Sequence, residues 1–448
     1  MRTRIVFLLV LALAAFQVSC RRQDAPGSKG RPVVVLLGLD GADWSLIDPL
    51  IAQGRLPLFK EMKETAAWGA LRTITPAKSP VVWTTIATGK TRQKHGIDDF
   101  RRSKPNSKGK YPIVSSLDIR EPLLWEMLEG RGRRSVLVNW YVSFPPQPFS
   151  GMNVSDYFAD SVISRSPDRE KHLLQSVFPP ERAAGLVKGL DSDYRRALKR
   201  TGLPDYPALA EEIGDAGRLA DLPVLHEIPD MVRREEVVTE TAARLFRTEK
   251  FDLFAAYYKL PDEVQHIAYI ALLEESFRRT MDLAARGGAL PDDMAEKAHA
   301  RIADVVCPVY QNLERILRGY FEAAGGRETY FIIVSDHGFS FFVRDGRVRY
   351  NHIGQEKAPD GILIVRGPGV KPGKIKLARV YDIAPTVLYL LGLPLDRGMD
   401  GKPLHRLFTF KRESGYVAYR KGKMKAQGDN SEAEERKLQE LKALGYIN

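Results

Sequence analysis

The 448-residue sequence predicts an α/β fold, a mostly parallel sheet flanked by helices and carrying a helical insertion. Three observations predict it. Short runs of apolar, partly β-branched residues recur, the signature of strands buried on both faces. Segments with apolar residues at helical spacing separate these runs, and strand–helix alternation makes a parallel sheet. From residue 151 to 247 strand-like runs become scarce, and charged amphipathic stretches such as Lys171–Val187 and Glu235–Phe246 dominate.

Composition sets the frame. Hydrophobic residues at 44% and charged residues at 28% describe a globular chain. Its length suits one large domain with an insertion, or two domains. The formal net charge of +12 favours anionic partners. There is no zinc-finger spacing and no aromatic-rich basic repeat, so nucleic acid is not the expected partner. Two cysteines, Cys20 and Cys307, are too few for a disulfide framework.

The N-terminus opens with basic Met1–Arg4 and an apolar run from Ile5 to Phe16, a signal-peptide length and short for a spanning helix. Cys20 follows Ser19, and residues 1–20 resemble a bacterial lipoprotein signal in which the cysteine is acylated; Gln17 departs from the aliphatic residue usual at that place. A plain secretory signal and an uncleaved anchor are the alternatives. All three put the body outside the cytoplasm, and the first anchors it to the cell-envelope membrane through a lipid on Cys20. Residues 21–32 form a tether rich in Pro, Gly, Arg and Lys. Cys307 is then left unpaired, buried and inert.

The core is expected over 33–150 and 248–410. Its first strand, Pro32–Leu39, is wholly apolar and ends in Asp40-Gly41, before a helix marked by Trp44, Ile47, Leu50 and Ile51. Asp40 stands at a strand's carboxyl end, where open α/β sheets bind ligands; helix N-capping is its alternative role. A turn at Pro76 leads to a helix beginning near Ser79-Pro80. Ser79 is an N-cap on one reading. On the other it is a nucleophile beside free backbone N–H groups and a positive dipole end. His95 reads as structural. Pro122–Leu128 is a helix and Ser135–Asn139 a strand. After the insertion, read as a cap over the sheet edge, Phe251–Tyr258 is another strand. Asp262 and His266 follow at a spacing of four, one face of a helical turn. The helix Val305–Tyr320 leads to Phe331–Val334, a buried strand that presents Asp336 and His337 side by side. His352 lies in the loop beyond. Gly361–Val365 is a strand, and Asp382–Leu391 a helix stopped by Gly392. The tail, 411–448, has a basic run and a last helix opened by a Ser431/Glu434 capping box.

Polar candidates thus gather just after apolar strands: Asp40, Ser79, Asp262, His266, Asp336, His337 and His352. Three carboxylates, three imidazoles and one hydroxyl can hold two Zn²⁺ with open positions for substrate.

These pieces resemble the alkaline phosphatase superfamily, and within it the type I phosphodiesterases and nucleotide pyrophosphatases. The resemblance rests on Gly38-Leu-Asp-Gly41, Ser79 before Gly89, His95-Gly-Ile97, Asp262 through His266, and Ser335-Asp-His-Gly338. It continues with His352 before Asp360-Gly-Ile362, Gly367-Pro-Gly369, Asp382-Ile-Ala-Pro-Thr386 and the terminal Leu441-Lys-Ala-Leu-Gly-Tyr446. It implies an alkaline phosphatase-like fold with one zinc on Asp262, His266 and His352. The other zinc lies on Asp40, Asp336 and His337 and touches Ser79 Oγ. The implied reaction cleaves phosphodiester or pyrophosphate bonds through a phosphoserine on Ser79. The implied substrate is a phosphorylated small molecule, a lipid or a nucleotide. A phosphomonoesterase of the same superfamily, or an anion-binding surface lipoprotein without turnover, is the alternative. One departure stands out: phosphodiesterase relatives place an Asn shortly after His-Gly-Ile, where this chain has Asp98-Asp-Phe100. Ser79-Pro-Val-Val-Trp83 lacks the sulfatase pattern. The oligomeric state is not written in the sequence.

Overall fold

The computed structural model describes residues 30–103, 111–205, 207–208, 223–271, 275–354, 356–422, 431–444 and 446. The signal segment and Cys20 lie outside the described residues.

Of the thirteen strands among the described residues, the first eleven in chain order are β1 (Val33–Leu39), β2 (Ala67–Leu71), β3 (Ser135–Val138), β4 (Gly151–Val154), β5 (Val177–Phe178), β6 (Leu253–Tyr258), β7 (Thr329–Val334), β8 (Ser340–Arg344), β9 (Arg347–Asn351), β10 (Gly361–Arg366) and β11 (Gly373–Lys374). All of these except β8 and β9 form one sheet in the order β11-β2-β10-β7-β1-β6-β3-β4-β5. Its centre, β7 through β4, is parallel. β10 runs antiparallel between β7 and β2, and β5 closes the far edge antiparallel to β4. β1 is apolar throughout because both its faces are covered. Val33, Val35, Leu37 and Leu39 enter one core, and Val34 and Leu36 enter the other.

The helices that position the site are α1 (Trp44–Ala52), α2 (Ser79–Thr88), α3 (Pro223–Thr248), α4 (Leu260–Ala271), α5 (Asp292–Ala324), α6 (Ile383–Leu390) and α7 (Ser431–Ala443). Asp43, not Asp40, caps α1: its side chain accepts from Ser45 N at 2.8 Å. Lys78 occupies the N-cap position of α2, so Ser79 is its first helical residue and makes no cap bond. Every residue of α2 is buried. Trp83 packs onto β1 at Gly38, where an added Cβ would lie 2.7 Å from the indole ring. That close approach is why the strand carries a glycine there.

The insertion, read as a cap over the sheet edge, also adds strands to the sheet. Residues 151–154 and 177–178, inside the expected insertion, are strands of the main sheet. They are too short to show a sequence period. The helix α3 contacts β3, β6, α4 and α5. Its Ile228, Met231, Val232, Val238 and Leu245 share a core with β1 and β6. The insertion is therefore a layer on one sheet face. Residues 305–320 form part of the 33-residue α5, and buried Cys307 is a free thiol within it.

Candidate active site

The central strands carry the site at their carboxyl ends. Leu39 pairs with Tyr258 and Gly38 with Val334, so β1, β6 and β7 end level with one another. Asp40 follows β1, Asp336 and His337 follow β7, and α4 opens directly after β6 to deliver Asp262 and His266. Gly41 has φ +66°, and a Cβ there would stand 3.0 Å from the Asp262 Cα. Glycine is thus required on both backbone and packing grounds. His352 arrives by a ribbon the sequence did not announce. β8 and β9 pair antiparallel with Ser340 opposite Asn351, which returns His352 to the neighbourhood of His337. The two imidazoles stack with ring centroids 3.6 Å apart.

Six of the seven candidates form one connected cluster. His337 Nε2 lies 3.3 Å from Asp336 Oδ2, 3.5 Å from Asp40 Oδ1 and 3.9 Å from Asp262 Oδ1. Asp262 Oδ1 lies 3.7 Å from His352 Nε2 and 3.5 Å from His266 Nε2. Two trios bring their ligating atoms within 4.8 Å of one another: Asp40, Asp336 and His337, and Asp262, His337 and His352. The first trio is the grouping the resemblance implied. The second holds Asp262 and His352 of the other implied grouping together with the shared His337, and the remaining member, His266, keeps its Nε2 3.5 Å from Asp262 Oδ1. Ser79 is tied in through the backbone: His352 Nδ1 bonds the carbonyl of Ala77, two residues before it, at 2.9 Å.

The polar accounting is unusual. Asp40 Oδ1, Ser79 Oγ, Asp262 Oδ1, His266 Nε2, Asp336 Oδ2, His337 Nε2 and His352 Nε2 are all buried without a hydrogen-bond partner. Orphaned buried polar atoms each cost about 1–3 kcal/mol and are rare. Yet the other oxygen of each carboxylate is held. Tyr257 donates its hydroxyl to Asp40 Oδ2, Tyr446 donates to Asp262 Oδ2, and Gly41 N donates to Asp336 Oδ1 at 3.3 Å. The Ala77 bond places the His352 proton on Nδ1 and leaves Nε2 a free acceptor. Oriented ligands with one lone pair held open are the outer-shell pattern of metal sites, and mixed imidazole and carboxylate donors fit a borderline divalent cation.

Burial dominates the electrostatics. It pushes Asp40 up to about 7, aided by the Asp262 charge, and raises Asp262 and Asp336 as well. It pushes His266 and His352 down to about 3 and holds His337 well below its ordinary value. The imidazoles are neutral, as ligands must be.

Tyr257 and Tyr446 were not singled out from the sequence. Tyr257 is hidden within an apolar strand. Tyr446 belongs to the terminal Leu441–Tyr446 motif, whose role only contact reveals: its ring lies 4.9 Å from that of His266 and 4.9 Å from that of Phe100. Glu434 Oε1 accepts from Ile113 N at 2.9 Å, which ties the last helix to the core. His95 is structural, buried with Nε2 3.0 Å from Thr85 Oγ1.

A buried carboxylate–imidazole cluster at the carboxyl edge of a parallel sheet is a candidate metal centre. The type I phosphodiesterase/nucleotide pyrophosphatase family model matches residues 34–386, and the chain belongs to that family. It is similar to 2,3-bisphosphoglycerate-independent phosphoglycerate mutases. That of Roseobacter denitrificans is 30% identical over 138 residues, covering 31% of this chain and 25% of that protein. That of Ruegeria pomeroyi is 33% identical over 125 residues, covering 28% and 23%. The matched region thus spans about a quarter of these curated relatives. Among solved structures, a 2-O GAG sulfatase aligns with a TM-score of 0.52 at 13% identity, over 86% of this chain and 76% of that one. This last likeness is one of fold, the alkaline phosphatase-like sheet that the resemblance implied.

Proposed function

We propose that the protein is a two-metal phosphohydrolase that cleaves phosphodiester or pyrophosphate bonds through a phosphoserine on Ser79. One observation carries the reading: all seven candidate residues bury a donor or acceptor atom that no protein group satisfies. Asp40, Asp336 and His337, with Ser79, would hold one zinc; Asp262, His266 and His352 would hold the other. Three carboxylates nearly offset two dications, leaving a site that attracts a phosphate anion. When bound, the metals supply charge neutralisation and lower the pKa of the Ser79 hydroxyl.

The chain's own groups supply placement. Ser79 opens the fully buried α2, so its Oγ is fixed at the positive end of a helix dipole, which favours phosphoryl oxygens. Attack by Oγ on phosphorus expels one ester or pyrophosphate oxygen; water then cleaves the phosphoserine. Tyr257, Tyr446 and Gly41 hold the carboxylates in orientation throughout. Rigid positioning and electrostatic complementarity carry most of such a rate gain.

Metal analysis of purified protein, with bis(p-nitrophenyl) phosphate and p-nitrophenyl phosphate as substrates, tests this. Diester turnover should need metal, and Ser79→Ala should lose about a thousandfold or more in kcat. Full diester hydrolysis by Ser79→Ala would remove the nucleophile assignment. A second reading, monoester hydrolysis, draws on the phosphoglycerate mutases, whose name specifies a phosphomonoester; faster turnover of the monoester would favour it. The Met1–Cys20 pattern supports export and a lipid anchor in the cell envelope. Cys20→Ala should then shift the protein from the membrane to the soluble fraction.

A further inference from the structure

A cavity of about 620 Å³ opens between the insertion and α5, within the size range of small-molecule sites. None of the seven candidate residues lines it. It lies across the sheet from the Asp40 contact: consecutive strand residues face opposite ways, so Tyr257 reaches Asp40 while Tyr258 lines the cavity.

The lining is graded. Arg247 and Arg315 are exposed, and both face the cavity. Arg244 and Arg200 also line it; Arg244 donates to the carbonyls of Gly185 and Leu186, Arg200 to Glu236 Oε1 at 2.6 Å, and Arg315 to Asn312 Oδ1 at 2.8 Å. The deep end is the fully buried Tyr258, whose hydroxyl pairs with that of Tyr320 at 2.7 Å. Two lining residues each bury a polar atom that lacks any partner: Glu236 Oε2 and Thr239 Oγ1, on residues only 2% and 7% exposed.

We propose that this cavity binds a small polyhydroxylated oxyanion of the sugar phosphate class. The guanidiniums at the rim ask for an anion, which they bind through charge-assisted bonds. A carboxylate oxygen only accepts, so Glu236 Oε2 asks for an O–H donor at depth. Thr239 Oγ1 can donate to or accept from a neighbouring hydroxyl. Free phosphate does not span rim and interior, and an apolar ligand leaves Glu236 unpaired at a desolvation cost. A phosphate with a hydroxylated body meets both demands. The proposal is independent of the hydrolase reading.

Calorimetric titration of full-length Ser79→Ala protein with glucose 6-phosphate, in the presence of a chelator, tests it without turnover. Saturable binding is expected, with glucose and inorganic phosphate each roughly tenfold weaker or worse. The doubly substituted Arg247→Ala/Arg315→Ala protein should lose roughly tenfold in affinity or more; both residues are exposed, so the fold should tolerate the change. Absence of binding up to about 10 mM, weaker than any millimolar site, would overturn the proposal. So would binding that ignores the rim substitutions, or binding abolished by Asp40→Asn, which would place the ligand at the carboxylate cluster. Inorganic phosphate binding as tightly as glucose 6-phosphate would remove the polyol from it.

Discussion

Each cluster carboxylate divides its oxygens between a protein donor and the cluster interior, so the donors determine which lone pairs stay open. Tyr446 is the clearest case, because it comes from the tail and meets Asp262 across 184 positions of chain. Phenylalanine keeps the ring contacts with His266 and Phe100 but frees Asp262 to rotate. Tyr446→Phe should therefore weaken metal binding about 10–100-fold while leaving the fold intact. Titration against a competing chelator reads this directly, and an unchanged affinity would show that the hydroxyl is dispensable.

At the scale of elements, α2 and the turn after it set where Ser79 stands. Gly38→Ala puts a methyl group against the Trp83 ring at 2.7 Å. Overpacking of this kind costs about 1–3 kcal/mol, measurable by urea denaturation, and should reduce kcat by displacing α2. His95 braces the same helix through Thr85, and burial pushes its pKa down to about 3. The native state keeps this ring neutral where the unfolded chain, near 6.5, takes up a proton. Its contribution is thus complete above about pH 6.5 and shrinks as pH falls toward 3, by about 2 kcal/mol at pH 5. Denaturation of His95→Gln beside the parent should show a stability gap at pH 7 that narrows at pH 5. A gap that stays constant would mean the ring titrates normally.

For the whole molecule, the cluster is a stability device as well as a reactive one. It gathers three acids and three imidazoles from β1, α4, β7 and β9 at the centre of the sheet, where like charges and orphaned lone pairs oppose folding. A cation that binds only the native state adds about 2.7 kcal/mol at a free concentration a hundredfold above its Kd. Chelation should lower Tm, and zinc should restore it; a Tm indifferent to both would count against a metal-bound core. No described helix is long and apolar enough to cross a membrane.

The local chemistry was written in the chain. Continuous apolar runs announced β1, β6, β7 and β10 because strands covered on both faces need no polar alternation. Polar residues directly after them announced the ligand edge. What required the tertiary structure was everything that depends on return paths. The pairing of Ser340 with Asn351 brings His352 beside His337, and the docking of α7 brings Tyr446 onto Asp262. The two short strands in the insertion draw it into the sheet. The residues of a two-strand ribbon, a tail tyrosine and a two-residue strand do not themselves say what each packs against. Their positions follow from long-range packing, in which the free energy of contact is shared between segments far apart in sequence.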